Sequence, residues 1–137
     1  MNDSRPFAWM MPNSHAHERP AIDAHQLSQS DFYQSSSPMW IYDQETLAFL
    51  EVNEAAISLY GYSRKEFLAM TILDIRPVED IPMLLSTTMR PDQRRESESE
   101  HWRHAKKDGT VIDVEVTSWE VVFNGRPSEL VSLRRRD

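Results

Sequence analysis

Histidine is the side chain in this sequence best suited to hold a metal or move a proton, and the chain has five of them. His15 and His17 lie in a stretch rich in Pro, Asn and Ser, where two ligands alone make a weak metal site. His101 and His104 are three apart in a predicted strand, so they point to opposite faces and cannot chelate one ion. All four are read as solvated. Asp113 and Glu115 share a strand face, as a carboxylate pair for acid–base work would, but it is the polar face. The run "RRESESE" reads as a solvated linker, and Arg134–Arg136 is too short to argue for nucleic acid. With three glycines there is no phosphate-cradling loop. With no cysteine there is no thiolate catalysis, disulfide or cysteine metal site. No metal site and no catalytic constellation emerges, so the chain is read as non-enzymatic.

The 137 residues suit one domain, and 39% of them are hydrophobic, which is ordinary for a globular core. A net charge of −7 argues against bulk attraction to nucleic acid or an anionic membrane. No apolar run approaches spanning length and the N-terminus lacks a signal-peptide core, so a cytoplasmic location is expected.

The clearest element is "TVIDVEVTS". Ile112, Val114 and Val116 alternate with Asp113, Glu115 and Thr117, a strand with one dry face. It follows the turn Lys107-Asp108-Gly109, which joins it to a strand over 98–106. Asn124-Gly125, a strong hairpin signal, joins it to a strand over 127–135. Earlier, "MWIYD" is apolar on both parities, as a strand covered on both faces would be, and "LAFLEV" returns beside it. Asn53 caps a helix that Gly61 ends. Ser63 with Glu66 makes a capping box for the next helix, and Tyr62 with Phe67 makes a hydrophobic staple. A longer helix carries Ile81, Leu84, Leu85 and Thr88. The organisation expected is a flexible tail over 1–22, a flanking helix over 23–36 capped by Asp23, and one α+β domain over 37–137. That domain has an antiparallel sheet with short helices on one face.

"FLEVNEAAISLYGYSRKEFLAMTILDIRPVED", followed by "WRHAKKDGTVIDVEVTS", resembles the PAS sensory domain over about residues 30 to 137. The resemblance rests on Asn53, Ala56, Gly61, Tyr62, Ser63 and Glu66, then Pro77, Glu79 and Asp80, then the Lys107-Asp108-Gly109 turn and the meander after it. It implies a five-stranded antiparallel sheet cradling short helices around an internal cavity. It also implies a sensor or dimerisation module attached to a histidine kinase of a two-component system, a cyclic-di-nucleotide enzyme or a transcription factor. Asp137 falls where family members continue into a linker helix, so an output domain beyond this sequence is expected. Of the family's cofactor types, the cysteinyl-flavin adduct is excluded for want of a cysteine. Haem is disfavoured, because the helix over 79–89 has no histidine and Met83 or Met89 on a helix face is more often core filler. The cofactor is otherwise unassigned.

On the dry face the expected pocket residues are Trp102, Ile112, Val114, Val116, Val131 and Leu133. The helices add Ile57, Tyr60, Phe67, Ile75 and Leu84, and the resemblance places Trp40 and Tyr42 on the same side. A solid core accounts for all of these as well as a ligand cavity does. Arg135 shares the parity of Val131 and Leu133, and either leans to the cavity mouth to anchor a carboxylate or phosphate or is simply solvated. Met39 and Ile41 point away from this face, joined by Trp119, Val121 and Phe123 if a bulge near Ser118 shifts the strand. A helix over 23–34, a second subunit, or both would have to cover them. The reading is therefore a sensory input module that binds a small ligand or relays a partner's state to a downstream effector, with a homodimer as the expected assembly. The alternatives are a ligand-free dimerisation module, or the regulatory fragment of a kinase or cyclic-di-nucleotide enzyme.

Overall fold

Strand β5, Val111–Phe123, organises the molecule. The computed structural model of the chain describes residues 19–88 and 98–136. Along β5, Ile112, Val114, Val116 and Ser118 are buried on one face, while Val111, Asp113, Glu115 and Thr117 on the other are exposed or half-buried. From Trp119 onward that second face is buried too, through Val121 and Phe123. No bulge brings this about. The register with β6, Arg126–Arg135, runs unbroken from Val114 opposite Arg135 to Phe123 opposite Arg126. The bulge expected near Ser118 is therefore absent: Trp119 already has the opposite parity to Ile112, and what changes along the strand is its cover.

The irregularity lies elsewhere. β2, Met39–Asp43, pairs with β3, Phe49–Val52, with Trp40 opposite Val52 but Tyr42 opposite Phe49. The extra residue on β3 sends both Phe49 and Val52 to the same core cluster, and leaves Leu50 against the opposite face. With β1, Ala21–Ile22, the sheet has six strands rather than five, in the order β1-β5-β6-β2-β3, with β4, Glu98–Ala105, also on β5. β1 is only two residues long, and it runs parallel to β5 beside Val122 and Phe123, beyond the reach of β4. The sheet is therefore mixed. The β5–β6 turn has Asn124 at φ 50° and Gly125 at φ 81°, the left-handed pair that a two-residue hairpin needs.

The N-terminal segment differs most from expectation. Residues 19–22, expected in the tail, hold a strand and Arg19, whose Nη1 donates to the Ser128 carbonyl at 3.1 Å. The remainder of that tail lies outside the described residues, as do the histidines His15 and His17 and the first part of the "RRESESE" run, whose last residues, from Glu98, belong to a strand instead of a linker. The flanking helix over 23–36 shrinks to α1, Ala24–Ser28, capped by Asp23. Ser30 ends it by turning its hydroxyl to the Leu27 carbonyl and accepting from the Phe32 N–H, a local bonding pattern that competes with helix. Turns then carry the chain to β2. The segment still covers the second face. Ile22, Leu27 and Phe32 are buried against Met39, Ile41, Trp119, Val121, Phe123 and Leu130.

The opposite face is roofed by α2, Glu54–Tyr60, α3, Arg64–Leu68, two short 3-10 turns and α4, Ile81–Thr88. Asn53 is more than the cap of α2. Its Oδ1 accepts from Ala56 N and Met39 N, and its Nδ2 donates to the Phe32 and Ser37 carbonyls, so one buried side chain ties helix, sheet and N-terminal segment together. The capping box of α3 is complete, with Glu66 N to Ser63 Oγ at 3.0 Å and Ser63 N to Glu66 Oε1 at 2.8 Å. Tyr62 and Phe67 meet edge to face with centroids 5.6 Å apart. Ser63→Ala should therefore cost about 1 kcal/mol in denaturant melting. An unchanged midpoint would show that the cap contributes nothing.

Candidate functional site

The inner face of the sheet assembles nearly all the expected pocket residues. β2 brings Trp40 and Tyr42, β4 brings Trp102, β5 brings Ile112, Val114 and Val116, and β6 brings Val131 and Leu133. Tyr60 from α2, Phe67 from α3 and Ile75 from a 3-10 turn close over them, with Ile57 half-buried at the margin. Leu84 lies in α4, and its side chain is outside the described residues. Arg135 is exposed at the end of β6 opposite Val114, and its charge reaches Tyr60.

At the centre the aromatic rings interlock edge to face. Trp40 meets Phe49 at 5.5 Å and Tyr60 at 5.6 Å, and Phe49 meets Phe67 at 5.0 Å between centroids. Polar groups are set into this apolar nest. His104 is fully buried, and its Nδ1 is hydrogen-bonded to the Tyr60 hydroxyl. The solvated reading of His104 is thus overturned. Trp102 and His104 are two apart on β4, so a strand that turns Trp102 inward must turn His104 inward too. That parity was the available signal. His101, on the other face, is exposed and accepts from Arg136.

Burial pushes the His104 imidazole well below the ordinary value of 6.5, and the nearby Arg76 cation pushes it the same way. Burial also drives the Tyr60 phenol far up, against the opposing charges of Arg76 and Arg135. Both groups are therefore neutral at physiological pH. Arg76, in the "IRP" stretch and not among the expected pocket residues, lays its guanidinium over the Trp102 ring at 4.3 Å. Two buried nitrogens in this nest, His104 Nε2 and Trp40 Nε1, have no hydrogen-bond partner among the described residues. A buried donor left in that state costs roughly 1–3 kcal/mol.

A cleft of about 480 Å³ opens at the β4–α4 side. Trp102 and Val114 are shared between its wall and the inner core. The rest of its lining is mostly charged, with Asp80, Arg103, Asp113, His101, Arg136 and the exposed Met83. Arg103 fastens its rim by donating to both oxygens of Asp80, at 3.0 and 2.9 Å, and to Glu79 at 3.1 Å. Among the described residues no three His, Asp or Glu side chains gather as metal ligands, and no helix is long and apolar enough to cross a membrane.

A family model described as the PAS fold matches residues 27–136. The chain belongs to the PAS family. The match takes in strands β2 to β6 and the turns that precede β2, and begins after β1. Solved PAS domains share the architecture. The PAS domain of a Colwellia psychrerythraea protein has a TM-score of 0.70 at 16% identity, over 82% of this chain and 95% of that one. A domain of a sensory box sensor histidine kinase/response regulator from Geobacter sulfurreducens has a TM-score of 0.66 at 24% identity, over 80% and 92%. The PAS domain of nitrogen regulation protein NR(II) from Vibrio parahaemolyticus has a TM-score of 0.58 at 19% identity, over 77% and 94%. No curated protein matches the chain significantly.

Proposed function

We propose that this PAS domain is a non-catalytic sensory input module whose inner face binds a small molecule and passes its occupancy to a downstream effector. The observation that carries this is the polar group set in the core: Tyr60, His104 and Trp40 mutually in contact, with two ring nitrogens lacking protein partners among the described residues. A core serving packing alone gains nothing from a buried imidazole and an unsatisfied indole, because apolar side chains of the same shape avoid the desolvation cost. Two of the similar folds come from proteins described as a sensor kinase and a nitrogen regulator, which agrees with an input role ahead of a histidine kinase.

Native mass spectrometry of the purified chain, with an absorbance spectrum, tests this directly. The expected result is a mass excess from a co-purified small molecule that is lost on denaturation. A chain that carries no guest, binds none from a small-molecule library by thermal shift, and forms a stable dimer would favour the ligand-free dimerisation module instead.

A further inference from the structure

We infer that the guest of the inner face is a small molecule that presents a hydrogen-bond acceptor, not a donor, to Trp40 and His104. The inference rests on the ligand-sensing reading and specifies its chemistry. The starting point is the Tyr60–His104 bond. A neutral imidazole carries one N–H and one lone pair. A phenol is the stronger donor of the two groups and an imidazole nitrogen the stronger acceptor, so Tyr60 donates to Nδ1. The ring proton then sits on Nε2. Trp40 Nε1 is a donor in any state. Both nitrogens without a partner among the described residues are therefore N–H groups, on rings whose centroids are 5.8 Å apart.

Both residues are almost completely buried, with His104 at 0% and Trp40 at 1% exposure. A carbonyl, carboxylate or ether oxygen beside them recovers the hydrogen bonds lost on burial. An ammonium or another donor recovers none. Arg76 sharpens the preference, because its positive charge acts on both His104 and Tyr60 and so disfavours a cation at the same place. This pair is a different locus from Arg135, which is exposed at the strand end.

The test uses the full chain labelled for NMR. A ring-nitrogen spectrum of the free protein should show His104 as the Nε2–H tautomer. Sodium acetate and, separately, acetone should then move the Trp40 indole and His104 Nε2–H resonances together with the methyl signals of Ile112 and Val114. Methylammonium chloride should leave all of them in place. Trp40→Phe should weaken acetate binding about ten-fold, the value of one hydrogen bond. The Nδ1–H tautomer in the wild type would overturn the inference without any variant having to fold. So would methyl shifts without N–H shifts, or equal acetate binding by Trp40→Phe, while leaving the sensing reading intact. If neither probe moves any signal, the acceptor assignment falls. If native mass spectrometry also finds no guest, the sensing reading falls with it.

Discussion

Acidifying the protein from about pH 7 to about pH 5 should destabilise it through His104 alone. In the unfolded chain the imidazole titrates near its ordinary 6.5, whereas in the fold burial and then the Arg76 charge hold it neutral to much lower pH. Below 6.5 the unfolded state therefore binds a proton that the folded state does not. Stability falls with pH from that point, by at most about 1.4 kcal/mol per unit, until the depressed folded value is reached. Asp43 acts in a separate and lower window. Burial raises its carboxyl, but the N–H groups of Glu45 and Thr46 and the Arg126 guanidinium outweigh that, so it lies below 3.8 in the fold. Its contribution is present above 3.8 and is lost as pH drops through the folded value. Denaturant melts of wild type and His104→Leu across this range isolate the first effect. The variant is expected to be less stable near pH 7, because Tyr60 loses its partner, but its slope between pH 7 and pH 5 should flatten by the His104 amount. Parallel slopes would mean that His104 takes up its proton in the fold over the same range as in the unfolded chain.

That prediction rests on a residue whose inward orientation was implicit in the sequence. A period-two pattern is the most legible signal a short domain carries. It placed Ile112, Val114, Val116, Val131, Leu133 and Trp102 on one face, where they are found. The same parity places His104 beside Trp102, but a histidine next to arginine and lysine looks solvated until the fold is seen. Caps were equally legible, because the bonds at Asn53 and Ser63 are local. The irregularity in β3 was not, since "LAFLEV" alternates equally well with or without an extra residue, and the choice is made by the partner strand. Nor was β1 legible, as a two-residue strand has no period. Arg76 precedes Pro77 in what reads as a connection, and only packing onto Trp102 shows its place. Whether the interior holds a guest is a matter of volume and hydrogen-bond balance, and residue order records neither.

A chain beginning at residue 37 should bind a hydrophobic dye more strongly than the full chain or change its oligomeric state. The segment before β2 contributes Ile22, Leu27 and Phe32 to the second core, with Leu27 and Phe32 at 0% exposure. Each buried side chain of this size is worth about 1.5–3 kcal/mol. Their loss would uncover Met39, Ile41, Trp119, Val121, Phe123 and Leu130 on one continuous sheet face. So large an apolar patch is rarely left wet by a monomer. The cut also removes the Phe32 carbonyl that accepts from Asn53, loosening the start of α2 from below. A milder variant separates loss of cover from loss of chain. Phe32→Ala in the full-length sequence should cost about 3–5 kcal/mol while leaving the backbone bonds of the segment in place. Sedimentation and dye fluorescence on the three proteins provide the check. If the truncated chain keeps the oligomeric state and the dye signal of the full chain, and Phe32→Ala melts like wild type, this segment does not hold that face of the sheet.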